Sequence, residues 1–205
     1  MKTRLCILVV FGLIGMVGCS HPVDPDEGKE VTISPYEWTD REEQAINLVA
    51  TSSTDVLVYQ ITPGNIKMDK KIDHYQNGKI KDTFGESSSE YVDDEIWISF
   101  GLREFFTEDQ DLRQWYIADH GSSQSGNITM VEDQEPDEGI ARFTSSLGKE
   151  KRLSDDQYLA VGAFVQNKNE NEKGVRALPI EDLETLIKEN EDVYVLSCKL
   201  SDGDW

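Results

Sequence analysis

The sequence has few of the residues that build metal centres and nucleophilic active sites. Its 205 residues include three cysteines and three histidines, the latter being His21, His74 and His120. A zinc site takes several histidine or cysteine ligands, so the chain is not expected to form one. The sequence also lacks a Gly-x-Ser-x-Gly nucleophile elbow. We therefore expect no catalytic residues, no metal ligands and no cofactor.

Positive charge is scarce as well. The chain has 20 lysines and arginines against 40 aspartates and glutamates, which gives a formal net charge of −20. Such a surface repels nucleic acid and anionic lipid headgroups, so we expect no nucleic-acid partner and no membrane-binding face on the folded body. The acid excess is either solvated surface or a means of attracting cations and basic partners.

Only the N-terminus carries a long hydrophobic run. Lys2 and Arg4 precede residues 5–17, a run that is short for a bilayer span and typical of a secretory signal. Met16-Val17-Gly18-Cys19 lies at its end. This stretch resembles the lipobox of bacterial lipoproteins, commonly Leu-(Ala/Ser)-(Gly/Ala)-Cys, with Met16 in place of the leucine. The alternative is an uncleaved N-terminal membrane helix in which Cys19 has no role.

The lipobox resemblance implies how the protein is held and where. It implies cleavage between Gly18 and Cys19 and an S-diacylglycerol group on Cys19, to which an N-acyl chain such as palmitate can be added. Two acyl chains hold a protein stably, so we expect it on the extracytoplasmic face of the cell membrane. Cys6 leaves with the signal and Cys198 stays unpaired, so no intrachain disulfide forms. Export without disulfides favours a Gram-positive source. In a Gram-negative source, the protein would lie on the periplasmic face of the inner or outer membrane.

Composition divides the chain into a signal over 1–18, a tether over 19–33 and one domain over 34–205. Residues 20–33 contain two prolines, a glycine and several acids, and few side chains that could pack. They are therefore expected to form a flexible acidic tether. Removing residues 1–18 leaves 205 − 18 = 187 residues, which suits a single domain with one hydrophobic core.

Two capping boxes predict where regular structure begins. In Ser34-Pro35-Tyr36-Glu37 and in Thr39-Asp40-Arg41-Glu42, a hydroxyl residue precedes a glutamate by three positions. Apolar residues at 45, 46, 49 and 50 then share one face, which predicts a short helix over roughly 39–50; the alternative is a strand over 46–51. Residues 34–43 also resemble the opening of uncharacterised lipoproteins of Gram-positive, Firmicute-type bacteria, which share a Pro-Tyr-Glu-x-(Ser/Thr)-x-Arg-Glu pattern. That resemblance implies no activity.

The rest of the chain consists of short runs typical of strands. Predicted strands cover 55–61, 66–75, 79–85, 95–102, 114–119, 128–131, 140–144, 158–165 and 193–200. Asn77-Gly78 joins two of them as a β-hairpin, whereas the serines and acids of 87–95 indicate a loop. The run over 158–165 is apolar on both faces, as in a central strand covered on both sides.

One further helix is predicted over 179–190, where an apolar stripe follows Pro179. The predicted fold class is therefore mainly β, antiparallel and sandwich-like. It has one short N-terminal helix and one helix in the C-terminal region.

Several residues have a plain structural interpretation beside a functional one. His120 lies in Asp119-His120-Gly121-Ser122, but adjacent side chains diverge, which favours a polar turn over catalysis. The acid-rich stretches 108–111 and 132–135 lack the spacing of a calcium-binding loop, which favours solvated turns. Cys198 alternates with apolar residues at 194, 196 and 200, which is typical of a buried small side chain.

The four tryptophans could line a ligand surface. Trp97 and Trp115 lie in predicted strands, where core packing is the expected role, and Trp38 and Trp205 lie outside them. The function predicted is a non-enzymatic binding module for another protein or the cell wall. The alternative is a cell-envelope hydrolase acting on wall glycan or peptide. Converging carboxylates in a cleft would favour the hydrolase, and a flat apolar patch would favour the binding module.

Replacing Cys19 tests the lipid anchor. Cys19→Ala removes the thiol that would accept the diacylglyceryl group, so fatty-acid labelling should be lost and the protein released or misprocessed. Metabolic labelling with a tagged fatty acid measures this, with Cys198→Ala as the control that should keep the label. Labelling that survives Cys19→Ala would contradict the lipobox interpretation.

Overall fold

A computed structural model describes residues 30–42, 54–62, 65–92, 96–106, 111–121, 128–133, 140–168 and 178–201. Within these ranges the chain is dominated by strands. They are β1 (Thr32–Pro35), β2 (Thr54–Thr62), β3 (Ile66–Gln76), β4 (Lys79–Tyr91), β5 (Ile96–Phe106), β6 (Asp111–His120), β7 (Ile128–Asp133), β8 (Ile140–Ser146), β9 (Lys151–Arg152), β10 (Leu159–Lys168) and β11 (Asp192–Leu200). A 3₁₀ helix η1 (Ile180–Asp182) continues into helix α1 (Leu183–Glu189).

The strands form two antiparallel sheets. The six-stranded sheet has the order β7-β6-β5-β2-β1-β9, and the five-stranded sheet has the order β4-β3-β11-β10-β8. Each described strand pairs with its neighbours in antiparallel fashion. The prediction of a mainly antiparallel β fold is therefore confirmed.

Aromatic side chains fill the space between the two sheets. Trp115 of β6 is fully buried, and its ring stacks on Tyr194 of β11 with 4.1 Å between centroids. Phe164 of β10 meets Trp115 edge-on at 5.5 Å, and Phe100 of β5 meets Phe164 edge-on at 4.8 Å. Offset and edge-on pairs of this kind stabilise a core beyond the area they bury. The core role predicted for Trp115 is confirmed.

The predicted β-hairpin is present, and its second strand is longer than expected. Asn77 and Gly78 have φ of 51° and 80°, as the tight turn between β3 and β4 requires. β4 continues to Tyr91, so residues 87–91 form strand and not the predicted loop. Pairing with β3 overrides their loop-like composition, and the hydroxyls of Ser88, Ser89 and Tyr91 find partners within the fold. Ser89, for example, accepts a hydrogen bond from Lys70 Nζ at 2.8 Å.

Regular structure begins two residues earlier than predicted. Thr32 and Ile33, assigned above to the tether, lie in β1, and Ile33 is fully buried. Ser34 and Pro35 complete this strand, so the first predicted capping box does not start a helix. The reason is tertiary: β1 is only four residues long, and it is held by pairing with β2 and β9.

The predicted helix over about 39–50 is not borne out. Within the predicted span, residues 40–42 are helical, and residues 43–50 lie outside the described ranges. The second capping box does form, because the Thr39 N–H donates to Glu42 Oε2 at 2.9 Å and the Glu42 N–H donates to Thr39 Oγ1 at 3.4 Å. A cap satisfies only the N–H groups of the first turn, so a capping box does not by itself specify a helix of the predicted length.

The C-terminal helix is present as η1 followed by α1. Ile180 and Leu186 are buried, and η1 lies against β10. All five residues from Val161 to Val165 in β10 are buried, as predicted for a strand covered on both faces. Among the described residues, no helix is long and apolar enough to span a membrane.

Gly162 provides a test of how closely the two sheets approach. A Cβ at this position would overlap the Tyr59 hydroxyl and lie 2.7 Å from Leu57 Cδ1, both on the opposite sheet. Gly162→Ala should therefore lower the free energy of unfolding by about 1–3 kcal/mol through overpacking. Urea unfolding measures this. Gly148→Ala, whose nearest neighbour would be Glu181 Oε1 at 3.7 Å, is the control. Equal stability of the two variants would contradict this packing.

Candidate functional site

Four aromatic side chains form a cluster on the outer face of the six-stranded sheet. In β5, Ile96, Ile98 and Phe100 are fully buried on the inner face, so Trp97 projects outward. Trp97 pairs with His120 of β6, and the two rings stack with 5.2 Å between centroids. The prediction of core packing for Trp97 is therefore wrong, because strand alternation places it on the face opposite Phe100.

Tyr36 and Trp38 complete this cluster. The Tyr36 N–H donates to the Val58 carbonyl at 2.9 Å, which extends the path of β1 along β2. The Tyr36 ring lies 5.6 Å from that of Trp97, and Trp38 meets Tyr36 edge-on at 4.8 Å. Trp38 is 41% exposed. We call Tyr36, Trp38, Trp97 and His120 the aromatic surface.

A carboxylate holds Tyr36 in its place within the aromatic surface. Glu42 Oε1 accepts a hydrogen bond from the Tyr36 hydroxyl at 3.0 Å, while its Oε2 accepts from the Thr39 N–H at 2.9 Å. The pKa of Glu42 is lowered by the Thr39 backbone N–H first, and then by the hydroxyls of Thr39 and Tyr36. Because these bonds favour the ionised form, a negative charge lies beside the aromatic rings at neutral pH.

The outer face of this sheet has a further aromatic residue in Tyr116. Its ring lies over Gly101 of β5, in the space that a Cβ at Gly101 would occupy. Burial raises the pKa of Tyr116, so its hydroxyl stays protonated. A glycine opposite a tyrosine lets the ring lie flat on the sheet.

His120 and its sequence neighbour Asp119 point to opposite faces. His120, the last residue of β6, is exposed beside Trp97, while Asp119 is buried between the sheets with 2% of its side chain accessible. The expectation that these adjacent side chains diverge is confirmed. Ser122 lies outside the described residues.

Asp119 belongs to a buried polar cluster that joins the two sheets. Lys70 of β3 is only 1% exposed, and its Nζ donates to the Tyr91 hydroxyl at 2.7 Å and to Asp119 Oδ2. The Ser89 hydroxyl donates to the same carboxylate oxygen at 3.0 Å. We call Lys70, Ser89, Tyr91 and Asp119 the inter-sheet cluster. Sequence reasoning missed it, although Lys70 alternates with the buried Met68 and Ile72 and so occupies an inward position.

A histidine–carboxylate pair lies elsewhere on the five-stranded sheet. His74 Nε2 lies 2.8 Å from Asp192 Oδ1, and the imidazole stacks on Tyr194 at 4.1 Å. In the described part of the chain, no hydroxyl or thiol hydrogen bonds to this imidazole. The pair therefore orients a histidine without presenting it to a nucleophile among these residues.

The remaining predicted site residues are placed as follows. Cys19 and the Gly18–Cys19 junction lie outside the described residues, as do His21 and Trp205. Glu132 and Asp133 of the second acid-rich stretch lie in β7, whereas only Asp111 of the first is described. Within the described ranges, no group of three or more histidine, cysteine or acidic side chains is arranged to hold a metal ion.

Comparison with known protein families matches most of the chain. The YgaN domain family matches residues 32–200. The match runs from the first residue of β1 to the last residue of β11. No curated protein and no solved structure matches the chain.

The burial of Cys198 predicts its reactivity. Cys198 is fully buried, and desolvation raises the pKa of its thiol from 9.0 to about 12, with the nearby Lys70 and Asp119 acting in opposite directions. The reactive thiolate should therefore not form, and iodoacetamide should leave Cys198 unmodified from neutral pH to about pH 10. In urea the same peptide should be alkylated, as mass spectrometry of digests would measure. Comparable labelling of folded and unfolded protein would contradict the burial.

Proposed function

The chain belongs to the YgaN domain family, and for its β domain we propose a non-enzymatic binding function. In this proposal, a lipid at Cys19 holds the protein on the extracytoplasmic face of the cell membrane. The domain then binds a protein partner that carries a basic segment, and it does so through the aromatic surface. The observation that carries the proposal is the clustering of Tyr36, Trp38, Trp97 and His120 on one outer sheet face.

Clustering is what distinguishes these aromatic residues from ordinary exposed ones. Single apolar side chains on a surface need no explanation, whereas contiguous ones mark interaction sites. Tryptophan and tyrosine are enriched at the centres of protein interfaces, because they bury a large area at little entropic cost. Trp38 is 41% exposed, so its ring is accessible to a partner. Its contact with Tyr36 restricts the orientation of that ring.

Charge indicates the kind of partner. The chain has a net charge of −20, and the ionised Glu42 lies beside Tyr36. Negative potential attracts basic partners and accelerates their association. Lysine and arginine also bind well over the faces of tryptophan and tyrosine rings. A basic segment would therefore satisfy both the rings and the carboxylate.

The proposed location depends on the lipobox resemblance of Met16-Val17-Gly18-Cys19. A thioether-linked diacylglycerol gives two acyl chains, which suffice for stable membrane attachment. The acidic domain would be repelled by anionic headgroups, so the lipid would be its means of attachment. The aromatic surface would then remain available to partners outside the membrane.

The second candidate function is a cell-envelope hydrolase acting on wall glycan or peptide. The His74–Asp192 pair is the observation in its favour, since a carboxylate orients a catalytic base in many hydrolases. It ranks second because, in the residues described, no hydroxyl or thiol lies in hydrogen-bonding contact with His74. Wall-degrading activity that is lost in His74→Gln would favour this function.

Calorimetric titration of the full chain with a synthetic lysine- and arginine-rich peptide tests the binding proposal. Trp38→Ala and Trp97→Ala should each weaken binding about tenfold or more, because truncating a central aromatic residue removes a major contact. Raising the salt concentration should also weaken binding, since the charges are exposed.

Tyr158→Ala is the matched control. Tyr158 is 37% exposed, but its ring lies near Lys71 and Lys199, away from the aromatic surface. This variant should bind the peptide as the unaltered chain does. Equal losses in all three variants, or binding of soluble wall glycan in place of the peptide, would contradict the proposal.

A further inference from the structure

We propose that Lys70 and Asp119 become joined by an intramolecular amide bond between Lys70 Nζ and Asp119 Cγ, which links the two sheets covalently. The proposal concerns the inter-sheet cluster and is independent of the binding function. Lys70 lies on β3 of the five-stranded sheet and Asp119 on β6 of the six-stranded sheet. The bond would therefore cross the core.

Burial sets this pair apart from ordinary ion pairs. The side chains of Lys70 and Asp119 are 1% and 2% exposed, and the amine is in direct contact with the carboxylate. Lysine is almost never fully buried in proteins unless it is paired. Two groups held in contact inside a rigid core have an effective concentration far above any that solution allows, on the order of 10⁵ M or more.

As an ion pair, this cluster would be poorly satisfied. Asp119 Oδ1 is buried and has no hydrogen-bond partner within the described ranges. A buried ion pair offsets its desolvation only when further hydrogen bonds satisfy the remaining lone pairs. An amide removes both charges, so the bare oxygen becomes a neutral carbonyl. That change lowers the cost of leaving the oxygen unpaired.

The step balances without an oxidant or a cofactor. A proton passes from the Lys70 ammonium to the Asp119 carboxylate, which leaves a neutral amine beside a carboxylic acid. The Nζ lone pair attacks Cγ, the Cγ–Oδ2 bond breaks, and Oδ2 leaves as water with a second proton from Nζ. Oδ1 remains as the amide carbonyl oxygen.

Two hydroxyls are placed to assist these proton transfers. Tyr91 Oη lies 2.7 Å from Lys70 Nζ, and Ser89 Oγ lies 2.8 Å from Nζ and 3.0 Å from Asp119 Oδ2. Ser89 therefore contacts both the attacking nitrogen and the departing oxygen. Burial and the charge of Asp119 raise the pKa of Tyr91, which keeps its hydroxyl protonated as a donor.

Lys71, the next residue along β3, provides a comparison with Lys70. It forms an ion pair with Asp73 at 2.8 Å, but its side chain is 21% exposed on the outer face of the same strand. Water reaches the Lys71 ammonium, and the Asp73 carboxylate also accepts a hydrogen bond from the Thr83 hydroxyl at 2.7 Å, so no reaction is expected. The two neighbouring lysines thus differ in burial and not in chemistry.

Tryptic peptide mapping of the full chain tests the proposal. Trypsin cleaves after lysine and arginine, so a linked Lys70 should yield a branched peptide joining residues 68–71 to residues 114–142. Its mass should equal the sum of the two peptides less one water. The free peptide 114–142 should be correspondingly depleted.

Variants identify the atoms involved. Lys70→Arg and Asp119→Ala should each abolish the branched peptide, and Lys71→Arg should retain it. The measurement on the unaltered chain does not depend on whether the variants fold. Recovery of free 114–142 in full yield, with cleavage after Lys70, would overturn the proposal and leave the cluster as an ion pair. A branched peptide that persists in Lys70→Arg would overturn the assignment of the nitrogen.

Discussion

The contact between Lys70 and Asp119 is the constraint on which both faces of the six-stranded sheet depend. Strand alternation allows Asp119 to reach Lys70 only if its neighbour His120 points outward. His120 then stacks on Trp97, which pairs with it in β5. A polar contact inside the core is thereby coupled to the outward position of His120 in the aromatic surface.

The local parts of this fold could be predicted from sequence, and the non-local parts could not. Asn77-Gly78 specifies its own turn, so the hairpin was predictable from two residues. Ile33 lies in a strand that is held by pairing with β2 and β9, and the short β-branched run Val31-Thr32-Ile33 does not identify these partners. The partner of Lys70 is 49 residues away, which no local pattern can reveal.

The alternation of inward and outward side chains along the strands nevertheless predicts part of the inter-sheet cluster and part of the aromatic surface. The pattern that buries Ile96, Ile98 and Phe100 also directs Trp97 outward, so its surface position was available from sequence. The same pattern in β3 directs Lys70 inward between Met68 and Ile72. Tyr36 and Trp38 were not predictable in this way, because they follow the end of β1 and depend on the path of the chain across β2.

The outer faces of the two sheets differ in the contacts that their side chains make. On the five-stranded sheet, η1 lies against β10, and Lys71 and Lys199 pair with Asp73 and Asp69 near the ring of Tyr158. On the six-stranded sheet, aromatic rings contact one another with Glu42 at their side.

The placement of β1 between two strands has a mechanical consequence. Four residues of β1 pair with β2 and two with β9, so a pull arriving from the N-terminal side loads hydrogen bonds on both edges of the strand at once. Bonds loaded together in shear resist more force than bonds opened one by one.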